Sequence, residues 1–341
     1  MREVSSDLIS RMLDYAKKIA KMTDTFMLEL LNGEPQYLYD ASKHLILAGG
    51  KRLRPLVTVL AGRMYGLPEE LGVKAGAAVE LFHTFTLVHD DIMDRDEMRR
   101  GVPTVHVKWG EPTAILAGDL LYAKAYEALI HVGEEAGDYA RGFAAIKQLT
   151  WSAVTVAEGQ ALDMDFERRW DVSVGEYLKM IYKKTAALFR TSMVIGALLA
   201  GAGEEEIEKI AGFADNIGIA FQIRDDILGI FGEEKLLGKP VYSDIREGKK
   251  TILVLHALQH LSEEEAEELK RILGLKERAT YEELRKAAEL IEKSGAREYA
   301  ERLAADYVRR AEEALYSTSP KDPEARDLLW AVATYVIQRR K

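Results

Sequence analysis

Two carboxylate clusters sit far apart in this chain, Asp90-Asp91-Ile92-Met93-Asp94 and Asp225-Asp226-Ile227-Leu228-Gly229. Asp90 and Asp94 stand one helical turn apart, so on a helix both would project from one face. Asp225 and Gly229 share that spacing, with Asp226 beside them. The first cluster follows Leu81, Phe82, Phe85, Leu87 and Val88, and the second follows Ile217, Ile219, Phe221 and Ile223. Carboxylates set into such apolar stretches are costly to desolvate unless something cationic compensates them. Two acidic faces opposed across a bundle would hold hard divalent cations, and Mg²⁺ favours a few carboxylates plus substrate phosphates over an all-protein cage. The pattern predicts a site for metal ions and a diphosphate. One cluster alone would read as a solvated helix face; the pair carries the argument.

The elements that must position these clusters read as helices almost throughout. Leu8, Met12, Tyr15, Ile19, Met22 and Phe26 recur at three- and four-residue steps, the stripe of one buried face. Capping boxes are spelled out at Ser173-x-x-Glu176, Ser262-x-x-Glu265 and Thr280-x-x-Glu283. Gly and Pro punctuate the chain at Asn32 to Pro35, Gly49-Gly50, Gly66 to Pro68, Gly101 to Pro103, Gly110 to Pro112, Gly201 to Gly203, Gly232 to Gly248 and Ser317 to Pro323. No set of alternating strands stands out. No linker long enough to divide the chain appears, so residues 1–341 are expected to form one all-α domain, a large helical bundle around a central cavity.

Composition narrows the classes of function. The 341 residues are 48% hydrophobic and 30% charged, as in a globular protein with a large core. A net charge of −9 argues against a general nucleic-acid binder. With no cysteine, disulfides and thiolate chemistry are excluded. No signal peptide is visible, and the longest apolar run, Thr191 to Ala202, is too short to cross a bilayer. A cytoplasmic protein, not integral to the membrane, is expected.

Further motifs make a resemblance specific. Gly49-Gly50-Lys51-Arg52-Leu53-Arg54-Pro55 comes first, then His83, then the first aspartate cluster trailed by Arg99-Arg100-Gly101. Lys184-Thr185, Phe221-Gln222, the second cluster and Gly238-Lys239-Pro240 follow in order. From about Tyr37 to Lys250 this series resembles the trans-polyprenyl diphosphate synthases, and among them the archaeal-type short-chain geranylgeranyl diphosphate synthases. The resemblance implies an isoprenoid-synthase fold. It implies elongation of an allylic diphosphate (dimethylallyl, geranyl or farnesyl) by head-to-tail condensation with isopentenyl diphosphate. Geranylgeranyl diphosphate is the expected product, with a bifunctional farnesyl/geranylgeranyl synthase as the alternative. It also implies more than one Mg²⁺, with Mn²⁺ as a substitute, and a homodimer or larger homo-oligomer.

The same resemblance distributes roles. Asp90, Asp94 and Asp225 would hold metal against the allylic diphosphate, with Asp91 and Asp226 as near neighbours. Arg99, Lys184, Lys239 and Lys249 would neutralise that diphosphate as it departs, while Thr185 and Gln222 turn their dipoles to the resulting cation. Gln160 and Asp163 match a further helix lining this region. A metal-free basic site of Lys51, Arg54, His83 and Arg100 would bind isopentenyl diphosphate. Geometry supports one member independently, since on an ideal wheel His83 lies within about 20° of Asp90. The Gly232 to Gly248 segment and the basic end Arg339-Arg340-Lys341 are candidate closing elements.

The resemblance also implies that chain length depends on Phe85, five positions before the first cluster, with Phe82 and Thr86 beside it. The wheel fits this only partly. Phe85 falls about 140° from Asp90, so the pocket would have to wrap around the helix. One departure from the family pattern is Gly229, where many relatives carry aspartate; Asp244 lies downstream as a further carboxylate. Other readings fit less well. A terpene cyclase needs no isopentenyl site, a metal phosphohydrolase needs more histidines in register than the seven here, and an inactive regulatory subunit should have lost motifs.

Overall fold

The structure, a computed structural model, describes residues 2–232 and 242–337. Helices follow one another as α1 (Ser6–Leu30), α2 (Gln36–Leu47), α3 (Leu53–Met64), α4 (Glu69–Asp94), α5 (Val105–Trp109), α6 (Glu111–Ala136), α7 (Tyr139–Phe166), α8 (Val174–Ile181), α9 (Ala187–Leu199) and α10 (Glu204–Phe231). Further helices span Ser243–Glu247, Ile252–His260, Glu263–Leu275, Tyr281–Lys293, Ala296–Tyr316 and Pro323–Ile337. The all-α expectation holds. Among the described residues the exception is a hairpin of two two-residue strands after α4, in which Met98 pairs with Pro103 and Arg99 with Val102.

Local chemistry sets the helix ends. All three predicted capping boxes form, at Ser173/Glu176, Ser262/Glu265 and Thr280/Glu283, each satisfying two otherwise unpaired backbone N–H groups. The predicted breaks at Asn32–Pro35, Gly49–Gly50, Gly66–Pro68, Gly110 and Gly201–Gly203 all fall between helices. Among the described residues three apolar cores result. One joins α1, α3, α9, α10 and the Pro323–Ile337 helix. A second joins α8 and α10 to the helices from Ile252 to Tyr316. The third joins α2, α4, α6, α7 and α9. Helices α9 and α10 belong to two cores each and tie the three together. By length and composition α4 could cross a membrane, yet 67% of its most apolar window is buried inside the protein. It is the core helix of the bundle.

Between α8 and α9 the chain opens into a π-helical turn, Tyr182–Ala186, which the sequence reading did not foresee. The turn is held from both sides by missing side chains. A Cβ on Gly159 of α7 would lie 2.7 Å from the Lys183 carbonyl carbon and 2.8 Å from the Lys184 Cα. On the other side, a Cβ on Gly218 of α10 would lie 2.6 Å from the Ala186 Cα. Both helices therefore approach the wider turn closely, and the turn aims Lys184 and Thr185 into the bundle.

Gly159→Ala separates two opposing effects. Alanine gains about 1 kcal/mol of helix propensity over glycine, whereas overpacking against backbone costs about 1–3 kcal/mol. Because the obstacle is backbone, the steric term wins. The variant is expected to be less stable in chemical denaturation and to lose activity with the displaced Lys184.

Candidate active site

The first aspartate cluster occupies the last turn of α4. Asp90 is half-buried and lines a cavity of about 740 Å³, while Asp94 stands exposed at the rim beside a smaller cavity with Met93 and Arg168. Asp91 points elsewhere. Its carboxylate is fully buried and accepts a hydrogen bond from Arg99 Nε on the hairpin. That hairpin folds back because Arg95 ends α4 in the left-handed region at φ 58°, and His44 of α2 hydrogen-bonds the Pro103 carbonyl at 2.7 Å. Desolvation first, and then the Asp90 carboxylate, raise Asp94 to about 6. Desolvation likewise lifts Asp91 to about 6 against the pull of Arg99. Like charges held this close favour a bound cation.

The basic residues form a corner behind α4. Arg54 and His83 line the large cavity. Burial lowers Arg54 to about 10, with Glu80 acting against and Arg100 with that shift, and its guanidinium lies 5.1 Å from the Phe189 ring centre. Burial, and then Arg54, Arg100, Arg99 and Arg52, push His83 well below its ordinary value, so it is neutral. Arg100, also left-handed at φ 54°, donates to the carbonyls of Leu45 (3.0 Å) and Gly49. Lys51 is exposed at the mouth of this corner.

Arg52, passed over in the sequence reading, holds the corner in place. It sits at φ 48°, 2% exposed, and donates to Asp24 (2.6 Å), Glu80 (3.2 Å) and the Ile46 carbonyl (2.8 Å). One buried guanidinium thereby joins α1, α2 and α4 and fixes the turn carrying Lys51 and Arg54. A Glu set in the apolar stretch about three turns before the cluster, Glu80, was the available signal.

Across the bundle, Lys184 from the π-helical turn lies 2.5 Å from Asp163 of α7 and 3.9 Å from Asp90. Burial would lower its pKa, but Asp163 and Asp90 outweigh that and raise it. A polar cavity of about 190 Å³ opens there, lined by Asp163, Tyr177, Lys184, Thr185, Gln222, Asp225, Asp226, Asp244 and Lys249. Asp225 is exposed to it, whereas Asp226 is buried. Desolvation, and then Asp244, push Asp226 up to about 8, while hydrogen bonds from Tyr177 and Gln222 oppose the rise. The space left by Gly229 is occupied: a Cβ there would meet the Asp244 carboxylate, with Cγ at 2.7 Å. Lys249 pairs with Glu247 at 2.5 Å and lies 3.9 Å from Asp244. Lys239, most of the Gly232 to Gly248 segment and Arg339-Arg340-Lys341 lie outside the described residues.

The large cavity runs from Asp90, His83, Lys184, Thr185 and Gln160 into an apolar end at Phe82, Phe85, Thr86, Tyr122, Val154 and Leu188. It wraps around α4, which reconciles the 140° wheel offset of about that size with a shared wall. Phe85 packs against Phe82 (5.4 Å between ring centres), Tyr122 (5.2 Å) and His89 (4.9 Å). Tyr122, part of this aromatic floor, comes from α6 and no local motif marked it. Among the described residues no three acidic or imidazole side chains converge on one point. The carboxylates of Asp90, Asp94 and Asp225 are hard oxygen donors of the kind Mg²⁺ takes, its shell completed by water and phosphate oxygens.

Comparison with known proteins agrees with this geometry. The model of the family described as polyprenyl synthetase matches residues 35–291. The geranylgeranyl diphosphate synthase of Sulfolobus acidocaldarius is 46% identical over 330 residues, covering 96% of this chain and 98% of that protein. The geranylfarnesyl diphosphate synthase of Aeropyrum pernix is 46% identical over 323 residues, covering 94% and 100%. Among solved structures, geranylgeranyl pyrophosphate synthetase from Pyrococcus horikoshii superposes with a TM-score of 0.87 at 38% identity, covering 98% of each chain.

Asp94 and Asp91 give a pH dependence with a definite sign. Their folded values, about 6, lie above the 3.8 of the free carboxyl, so the folded protein holds protons that the unfolded chain releases. Their contribution to stability is favourable at low pH and is lost as pH rises through about 6. A divalent cation bound at Asp94 would take the place of its proton above that value. Mg²⁺ with inorganic diphosphate should therefore raise the melting temperature more at about pH 7.5 than at about pH 5.5, as read by thermal denaturation.

Proposed function

The chain belongs to the polyprenyl synthetase family, and on that premise we propose that it elongates an allylic diphosphate by 1'-4 head-to-tail condensation with isopentenyl diphosphate. Geranylgeranyl diphosphate is the principal product, and inorganic diphosphate is released. What supports the reading most is one continuous cavity, acidic and basic at one end and aromatic at the other. The curated relatives named geranylgeranyl diphosphate synthase support the product.

In this reading Asp90 and Asp94 from one side and Asp225 from the other would hold Mg²⁺, and an ion bound there would supply positive charge to the departing diphosphate. Arg99, Lys184, Lys249 and Lys239 add fixed positive charge around the same group. As the C–O bond breaks, its electron pair leaves with the diphosphate and C1 becomes cationic. Thr185 and Gln222 face that carbon. Isopentenyl diphosphate stays intact, its own diphosphate held by Lys51, Arg54, Arg100 and neutral His83. Its double bond attacks C1, a new C–C bond forms, and a proton is lost to the departed diphosphate. Phe85, with Phe82, Thr86 and Tyr122, ends the pocket available to the growing chain.

We further read the protein as a cytoplasmic homodimer or larger assembly. Exposed Ile115, Leu116, Ile130, Phe143 and Val154 on α6 and α7 support self-association.

The decisive experiment is a product assay with Mg²⁺, labelled isopentenyl diphosphate and each allylic starter. Predominantly twenty-carbon alcohol after dephosphorylation is expected; no elongation with any starter would refute the reading. Phe85→Ala should lengthen the product beyond twenty carbons, and an unchanged product would remove Phe85 from the floor. Arg100→Ala should raise the KM for isopentenyl diphosphate about ten- to a hundredfold, the scale of a lost hydrogen bond to a charged group. The KM for the allylic substrate should hardly change. Asp90→Ala should instead lower kcat by about a thousandfold, since it acts on charge that develops in the transition state.

A further inference from the structure

By sequence Asp226 belongs to the second acidic cluster, but its carboxylate turns into the core and is 5% exposed. Oδ2 accepts a hydrogen bond from the hydroxyl of Tyr177, itself 2% exposed on α8. Oδ1 accepts from Gln222 Nε2 at 3.0 Å. Gln222 Oε1 in turn accepts from the Thr185 hydroxyl at 3.1 Å.

The polarity of this chain of hydrogen bonds follows from its last member. A carboxylate has no hydrogen to give, so the amide nitrogen of Gln222 must face it. The amide oxygen must then face Thr185, and Thr185 must donate its only hydrogen. While Oδ2 accepts from Tyr177 and Oδ1 from Gln222, the Thr185 hydroxyl is left with lone pairs alone for the cavity it lines. The negative end of its dipole points there in advance of any charge, which is the preorganisation that stabilises a cation without later rearrangement.

We propose that Asp226, clamped by Tyr177, is a positioning residue rather than a metal ligand, and that it orients Gln222 and Thr185 so that oxygen lone pairs face the carbon that becomes cationic. This rests on the elongation reading given above.

Two measurements test it. Mn²⁺ binding in the presence of inorganic diphosphate, followed by electron paramagnetic resonance, needs no turnover. Asp226→Asn, nearly isosteric, should keep Mn²⁺ affinity within about threefold, whereas Asp225→Asn should lose about tenfold or more. Loss in Asp226→Asn equal to that in Asp225→Asn would make Asp226 a ligand and overturn the proposal. The second measurement is a double-mutant cycle on kcat. Asp226→Asn presents a donor to Gln222, reverses the amide and turns the Thr185 hydrogen toward the cavity. It should lower kcat about ten- to a hundredfold with little change in either KM. In a Thr185→Val background it should cost less than about twofold more. Additive losses would overturn the proposal alone. Tyr177→Phe provides the same cycle should Asp226→Asn fold poorly, with a several-fold loss that again vanishes with Thr185→Val. A wild-type protein that binds Mn²⁺ and diphosphate yet elongates nothing would overturn the elongation reading along with it.

Discussion

Charge of one sign crowded into a poorly solvated cavity is unfavourable until something of the opposite sign enters, and this molecule is built around that imbalance. Asp90 and Asp94 repel each other on one turn of α4, while Arg54, Arg100 and His83 crowd together a few residues behind. Lys184, 2.5 Å from Asp163 and 3.9 Å from Asp90, reaches across the middle between α7 and α4. The protein's interior thus presents both a negative and a positive surface that its own side chains leave incompletely matched. In the proposed reading two diphosphates, one carried on metal and one held directly, would match the two surfaces.

Holding such surfaces apart requires rigid support, and the support is covalently remote. Arg52 pins the basic corner through Asp24 and Glu80, residues from two other helices. Removing one partner from a buried ion pair leaves a stranded charge and typically costs about 3–5 kcal/mol, so the corner and the bundle stand or fall together. The π-helical turn plays the equivalent part for Lys184 and Thr185. It survives because α7 and α10 each present a glycine to it.

Much of this was legible in the residues. The aspartate spacing, the ordered basic motifs, the three capping boxes and the glycine and proline breaks were all local patterns, and local hydrogen bonding obeys local sequence. What was hidden depended on tertiary approach. The π-helical turn needs glycines on two other helices, the nearer of them 23 residues before the turn begins. The inward turn of Asp91 and Asp226 depends on Arg99 and Tyr177, and adjacent residues on a helix necessarily face different ways. Helical geometry therefore separated Asp90 from Asp91 in principle, but not which partner would claim the second. Tyr122 joined the aromatic floor only because α6 packs along α4.

The carboxylate beside Gly229 is borrowed. Where a third aspartate on α10 would be held in place by the helix itself, Asp244 arrives from the separate segment Ser243–Glu247 and fills the same space. Its distance from Asp225 is set by how that segment packs, not by helical rise. Anything that binds through both carboxylates must then stabilise the packed arrangement, and by thermodynamic reciprocity packing must strengthen the binding. Occupancy at this end of the cavity and order in the Ser243–Glu247 segment are coupled variables. A chain with aspartate at the end of its own helix would have kept them independent.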